Sequence, residues 1–224
     1  MKNISTALWV AVALAGAAIG FWSYRQHDQR RETPVKMPAV TAATGPAAAP
    51  ASPALKIPER VPDIQLPDMT GRMRSLRDAS GNPHLYNFWA TWCEPCRREI
   101  PLLNTLQHTY RADHLAVVGI AIDFSDAVRD FLKTTPLHYT SLVGEEAGLE
   151  AAQKFGMDVG LPFSVFADDR DQIIALKVGE LHRDEAEAIL ATMRSLKGGE
   201  LTLPAARAAI ARALEQLSVS RAKQ

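Results

Sequence analysis

The chain holds two cysteines, Cys93 and Cys96, in a Cys-Glu-Pro-Cys run within FWATWCEPCRREIP (residues 88–101). An apolar run precedes them and an amphipathic helix pattern follows, which places both thiols on the first turn of a helix. At positions i and i+3 they can close on each other, and the unpaired backbone N–H groups of that helix end favour a thiolate. Cys93, nearer the helix start, is the expected exposed, attacking sulfur; Cys96, one turn in, is the expected resolving partner. Three chemistries compete for such a pair. A zinc site wants four ligands, and no second C-x-x-C is present to complete one. A static clip over so short a loop would constrain the unfolded chain little. A reversible dithiol/disulfide couple is what C-x-x-C directly after an apolar strand favours.

FWATWCEPC resembles the active-site segment of thioredoxin-fold proteins. The Glu94-Pro95 dipeptide and the following CRREIP are similar to the TlpA/ResA/CcmG (DsbE) group of membrane-anchored thiol:disulfide reductases, and the similarity runs from Pro62 to Leu196. The resemblance implies an α/β, thioredoxin-like fold: a central mixed sheet flanked by helices, with a TlpA-type N-terminal hairpin and a central insertion. It implies that Glu99, on the same helix face as Cys96 three residues on, is a general acid/base. Ordinary thioredoxins place a buried aspartate in the strand before the motif; here Asn87 stands in its place, and an amide cannot move a proton at neutral pH. Gly160-Leu161-Pro162-Phe163 resembles the loop carrying a cis-proline opposite the disulfide. With Pro162 cis, the Leu161 backbone would pair with an extended substrate segment; a trans proline would merely start an edge strand. Trp92 is expected beside the sulfurs as an apolar cover or as a packing residue, and Glu94 and Pro95 help to set the redox poise.

The same resemblance implies partners. The substrates would be protein disulfides, such as an apocytochrome c haem-attachment pair or the thiols of a copper-delivery protein. A DsbD- or CcdA-like membrane protein would supply electrons. No cofactor beyond the redox-active disulfide and no metal are expected. A thiol oxidase or isomerase would use the same couple, and a copper-binding chaperone would use the same fold, although the C-x3-C spacing and histidine of that group are missing. His84 and His182 are expected in loops or at the surface.

The elements that must position this chemistry are legible by period. HLYNFW (84–89) predicts a buried strand leading into the cysteines, and Leu102, Leu103, Leu106 and Tyr110 continue the helix through Pro101, where a kink is expected. LAVVGIAI (115–122) predicts a central strand buried on both faces. Short strands are expected at 64–66, 73–76 and 139–143, with a turn at 69–72. A hairpin is expected from 163–167 and 173–178 around 168–172. Helices are expected at 126–133 with Ser125 as N-cap, at 149–155, at 183–196, and at 205–217 with Leu203, Ile210, Leu214 and Leu217 along one stripe. That last helix would cover its own domain or offer a surface to a partner.

The 224 residues are 47% hydrophobic, enough to build a core, and their 25 basic and 25 acidic residues cancel with no basic block, which argues against a nucleic-acid partner. Four segments are expected: 1–24, a membrane anchor or signal peptide; 25–60, a Pro/Ala-rich linker; 61–197, the thioredoxin-like domain; 198–224, a C-terminal helical extension. ISTALWVAVALAGAAIGFW (4–22) is uncharged and, at about 1.5 Å per residue, spans about 28 Å, close to a bilayer core. Ala15-Gly16-Ala17 offers a cleavage site, whereas Phe21, Trp22 and Tyr24 suit an interface belt and favour an anchor. Arg25, Arg30 and Arg31 outnumber Lys2, so flanking charge does not favour export. A disulfide substrate does, and places the domain on the periplasmic side of the inner membrane, tethered or soluble after cleavage.

Overall fold

The computed structural model describes residues 57–78, 80–157 and 160–223. The anchor or signal at 1–24 and the linker up to residue 56 lie outside the described residues. Among the described residues no helix is long and apolar enough to cross a membrane.

A short antiparallel pair comes first, β1 (Gln65–Pro67) with β2 (Met73–Ser75). Then follow β3 (His84–Trp89), α1 (Glu94–Thr109), β4 (Ala116–Ala121), α2 (Ser125–Leu132), β5 (Thr140–Val143) and α3 (Glu145–Lys154). The chain closes with β6 (Phe163–Ala167), β7 (Ile173–Val178), α4 (Arg183–Lys197) and α5 (Leu203–Ala222). The main sheet has the order β5-β4-β3-β6-β7, with β3, β4 and β5 parallel, β6 antiparallel to β3 and β7 antiparallel to β6. This is the mixed sheet flanked by helices that the sequence implied.

Strand alternation divides the core. Tyr86 and Phe88 face Val61, Ile64 and Leu66 of the leading segment and Ala151, Ala152 and Phe155 around α3. Leu85 faces Leu103 and Leu106 of α1 and Ile189, Leu190 and Met193 of α4. Trp89 joins Cys93, Cys96, Ile100 of α1 and Val128 of α2 in a third cluster at the end of β3. Since β3 is paired on both edges and covered on both faces, all six of its residues are buried.

His84 is among them. It is fully buried on β3, with its ring stacked on Tyr86 at 5.3 Å, so the expected loop or surface position is corrected. A central strand leaves no exposed place, whatever the residue type. Ser125 is likewise not an N-cap: α2 starts on it, Phe124 is the cap without a side-chain bond, and Asp123 Oδ1 instead accepts the Phe124 N–H at 2.9 Å. The helix at 149–155 begins a turn earlier, at Glu145, because acidic Glu145 and Glu146 suit a helix N-terminus although they lack the apolar period. The helix α1 continues through Pro101 to Thr109.

The leading segment crosses one face and meets both edges of the sheet. Ile173 N donates to Glu59 O at 2.9 Å and Arg60 bridges Gln172 beside β7, while Asp68 bridges Leu142 of β5. Along β7, α5 buries Ala206 and Ile210, and Arg207 caps the Ile173 carbonyl through Nε at 3.0 Å and Nη2 at 2.6 Å.

Candidate active site

Three elements converge on the cysteines. The strand β3 delivers the chain to Ala90, and the turn that follows is fixed by Asp123 at the end of β4. Its Oδ2 accepts the Thr91 N–H at 2.9 Å and the Thr91 hydroxyl at 2.6 Å, and Cys93 N donates to Ala90 O at 3.2 Å. Asp123 was not singled out from the sequence. Its signal was an acid directly after a buried parallel strand adjacent to the cysteine-bearing one.

Cys93 is the N-cap of α1 in extended conformation, and its Sγ accepts the Cys96 N–H at 3.3 Å. Pro95 lies in the first turn, where its missing N–H costs nothing. Cys93 and Cys96 form a disulfide. Cys96 is fully buried and Cys93 retains 5% of its surface, so the expected exposed sulfur is a narrow opening rather than an open thiol. Trp92 is 70% exposed. Glu94 is exposed beside it.

The Leu161–Pro162 peptide bond is cis, and Leu161 packs against the cluster that contains both cysteines. Gly179 N donates to Pro162 O at 2.9 Å, which joins this loop to the end of β7.

Glu99 is 1% exposed, in the apolar stripe of α1 formed by Cys96, Ile100, Leu103 and Leu106. Its Oε1 accepts from Asn87 Nδ2 at 2.7 Å and its Oε2 from Leu181 N at 2.7 Å. Asn87 also donates to Ser164 Oγ at 3.1 Å. Burial pushes the Glu99 carboxyl up to about 7, against the pull of the two hydrogen bonds. A carboxyl there can hold or release a proton near neutral pH. Asn87 thus supports the acid that its position cannot supply. The structure also brings in Leu181, Glu180 and Arg98, none of which stood out in sequence. Arg98 donates to Glu180 Oε2 through Nε at 3.0 Å and Nη2 at 2.6 Å.

His182 is half-buried as the N-cap of α4, where Glu185 closes a capping box, away from any sulfur contact. His108 lies in the last turn of α1, about 18 Å along the helix from Cys96, too far to share a ligand sphere with it. Among the described residues no group of three or more His, Cys, Asp or Glu is placed to hold a metal ion.

Residues 56–192 match the family described as Redoxin. The chain is 36% identical over 135 residues to the thioredoxin-like protein YneN of Bacillus subtilis (strain 168), covering 58% of this chain and 75% of the relative. It is 29% identical over 137 residues to the thiol-disulfide oxidoreductase ResA of Bacillus thuringiensis subsp. konkukian, covering 61% and 78%. A crystal structure described as that of a thiol:disulfide interchange protein DsbE from Chlorobium tepidum superposes with a TM-score of 0.55 at 28% identity, over 62% of this chain and 95% of the other. A cis-proline loop against a helix-capping disulfide, on a five-stranded mixed sheet and with these relatives, assigns the chain to the Redoxin family as a thioredoxin-fold thiol:disulfide oxidoreductase of the TlpA/ResA/DsbE kind.

Proposed function

We propose that the protein is an exported reductase of protein disulfides, tethered to the outer side of the cytoplasmic membrane by residues 1–24 and held off it by 25–60. In this reading 61–197 carry the chemistry and 198–224 buttress them. The observation that carries the reading is Glu99, a buried carboxyl pushed to about 7, one helical turn from Cys96. In the dithiol form the Cys93 thiolate attacks one sulfur of a substrate disulfide. That bond breaks, a mixed disulfide forms, and the released substrate thiolate takes up a proton. Glu99, as carboxylate, accepts the Cys96 proton, and the Cys96 sulfur attacks Cys93 Sγ. The mixed disulfide breaks, the substrate leaves as a dithiol, and two electrons have passed to it from the Cys93/Cys96 pair. A dithiol donor of the DsbD or CcdA type restores the protein. The exposed Trp92 and the Leu161 backbone beside cis Pro162 would seat the extended substrate segment, and Glu94 and Pro95 would tune the couple. Substrates are apocytochrome c or a copper-delivery protein, for which the two-electron reduction leaves the free thiols that haem or copper attachment needs.

The test is covalent trapping. A Cys96→Ala variant should accumulate substrate on Cys93 as an adduct released by reductant, and Cys93→Ala should accumulate none. Equal trapping by both variants would refute the division of labour between the sulfurs.

A further inference from the structure

The segment between β7 and α4 touches both the cis-proline loop and Glu99. Gly179 N bonds Pro162 O, Leu181 N bonds Glu99 Oε2, and His182 N bonds Glu185 Oε2 at 3.0 Å. Between the first two contacts lies Glu180, held from α1 by Arg98. Two adjacent links therefore join the same pair of backbone segments: Arg98 to Glu180 on the outside, Glu99 to Leu181 on the inside. We propose that Arg98 and Glu180 are a positioning clamp that keeps the Leu181 N–H on Glu99 and so sets the pH at which Glu99 exchanges its proton.

The clamp differs from the ordinary ion pairs of the surface. Arg98 also reaches Glu94 at 3.4 Å within its own helix, a contact that fixes nothing beyond that helix. With the arginine side chain 52% exposed, the pair to Glu180 contributes little to stability as a charge pair. Its consequence is geometric. The loop it fastens starts at a glycine with φ +83°, and the Leu181 amide is one of two donors that favour the Glu99 anion. Losing that donor leaves Asn87 alone against the burial cost.

The surroundings of Glu99 define what a test must separate. From β3 it faces the Asn87 amide; from the segment ahead of β5, the Tyr139 phenol, itself pushed up mainly by burial and further by the Glu99 charge. From β7, Lys177 favours the anion, and from the loop Glu180 opposes it. On its own helix lie Arg98 outward and Cys96 one turn back. Removing Arg98 alone would change charge and position together. Removing both partners leaves the net charge of the pair unchanged but takes away the Glu180 charge that opposes the Glu99 anion, which alone would lower the midpoint, so an upward shift reports the lost position of the Leu181 N–H.

The inference rests on Glu99 serving as the proton-transfer group, and its test reads Glu99 directly. In oxidised protein carrying ¹³C-labelled glutamate, the Glu99 carboxyl is titrated by NMR in the wild type, in Arg98→Ala/Glu180→Ala, and in the reversed pair Arg98→Glu/Glu180→Arg. The double alanine variant should move the Glu99 midpoint up by about one pH unit, and the reversed pair should bring it back towards the wild-type value. The pH profile of mixed-disulfide resolution should shift by the same amount. A double alanine variant that titrates like the wild type overturns the clamp. If instead Glu99→Gln resolves mixed disulfides with the wild-type pH profile, the acid/base reading fails, while the NMR midpoints still decide whether the clamp exists.

Discussion

Glu99 accepts two hydrogen bonds that favour its anion, yet burial outweighs them and holds the carboxyl near 7. The folded chain therefore binds a proton that the unfolded chain has already lost between pH about 4.5, the ordinary value, and about 7. A group raised on folding makes stability fall as pH rises through that window. At about 1.4 kcal/mol per unit the loss amounts to about 3 kcal/mol at most, complete above the folded value. Between pH about 4.5 and about 7 the unfolding free energy of the oxidised wild type should accordingly fall more than that of Glu99→Gln, as followed by urea denaturation at each pH. The burial of Glu99 was partly legible. It falls in the stripe of Cys96, Ile100, Leu103 and Leu106, but the neighbouring Arg97 and Arg98 disguise it as a surface residue. His84 was misread for the converse reason: a polar residue opening a strand looks peripheral until that strand is known to be paired with Ala116 on one side and Ala167 on the other.

Among the elements, β4 was readable as a continuous apolar run because it is covered on both faces, and β3 because its run ends in the cysteines. What could not be read is the fit across strands. Gly119 is level with Asn87 of β3 and Ser141 of β5, and a Cβ there would stand 3.0 Å from Tyr139 Cε2 and 3.2 Å from Trp89 Nε1. Both rings belong to the packing around the site, so neither can yield cheaply. Gly119→Ala should cost about 2 kcal/mol, seen as a lower denaturant midpoint with an unchanged slope. The helix starts at Ser125 and Glu145 were misplaced because each relies on main-chain caps and acidic first turns rather than on an apolar period. The α5 stripe of Ile210 and Leu214 was legible, whereas its last turn, held by Arg221 on Asp184 and Glu185, comes from a pairing 36 residues and more distant in sequence.

At the scale of the molecule, each sheet edge is met from within the chain: β5 at Leu142 by Asp68, and the start of β7 by Glu59, Arg60 and the Arg207 guanidinium. Unpaired edges invite pairing with other chains. Ile210→Asp would put a charge where Ile210 is 2% exposed, lifting α5 from β7. Amide exchange should then accelerate over 203–222 and 173–176 while α1 keeps its protection, and sedimentation should show self-association. Uniform loss of protection would instead make α5 inseparable from the core. The sheet also has a polarity. Phe163 of β6 lies beside Phe88, close to the sulfurs, while Ala167 lies beside His84 at the far end. The turn after Ala167 is where Val61 N bonds Asp171 O and Glu59 accepts from Ile173 N. The chain thus enters its domain at the heel and carries its disulfide at the toe, about 17–20 Å away along β3. Residues 57–61 therefore leave the sulfur-bearing end of β3 clear for an approaching partner.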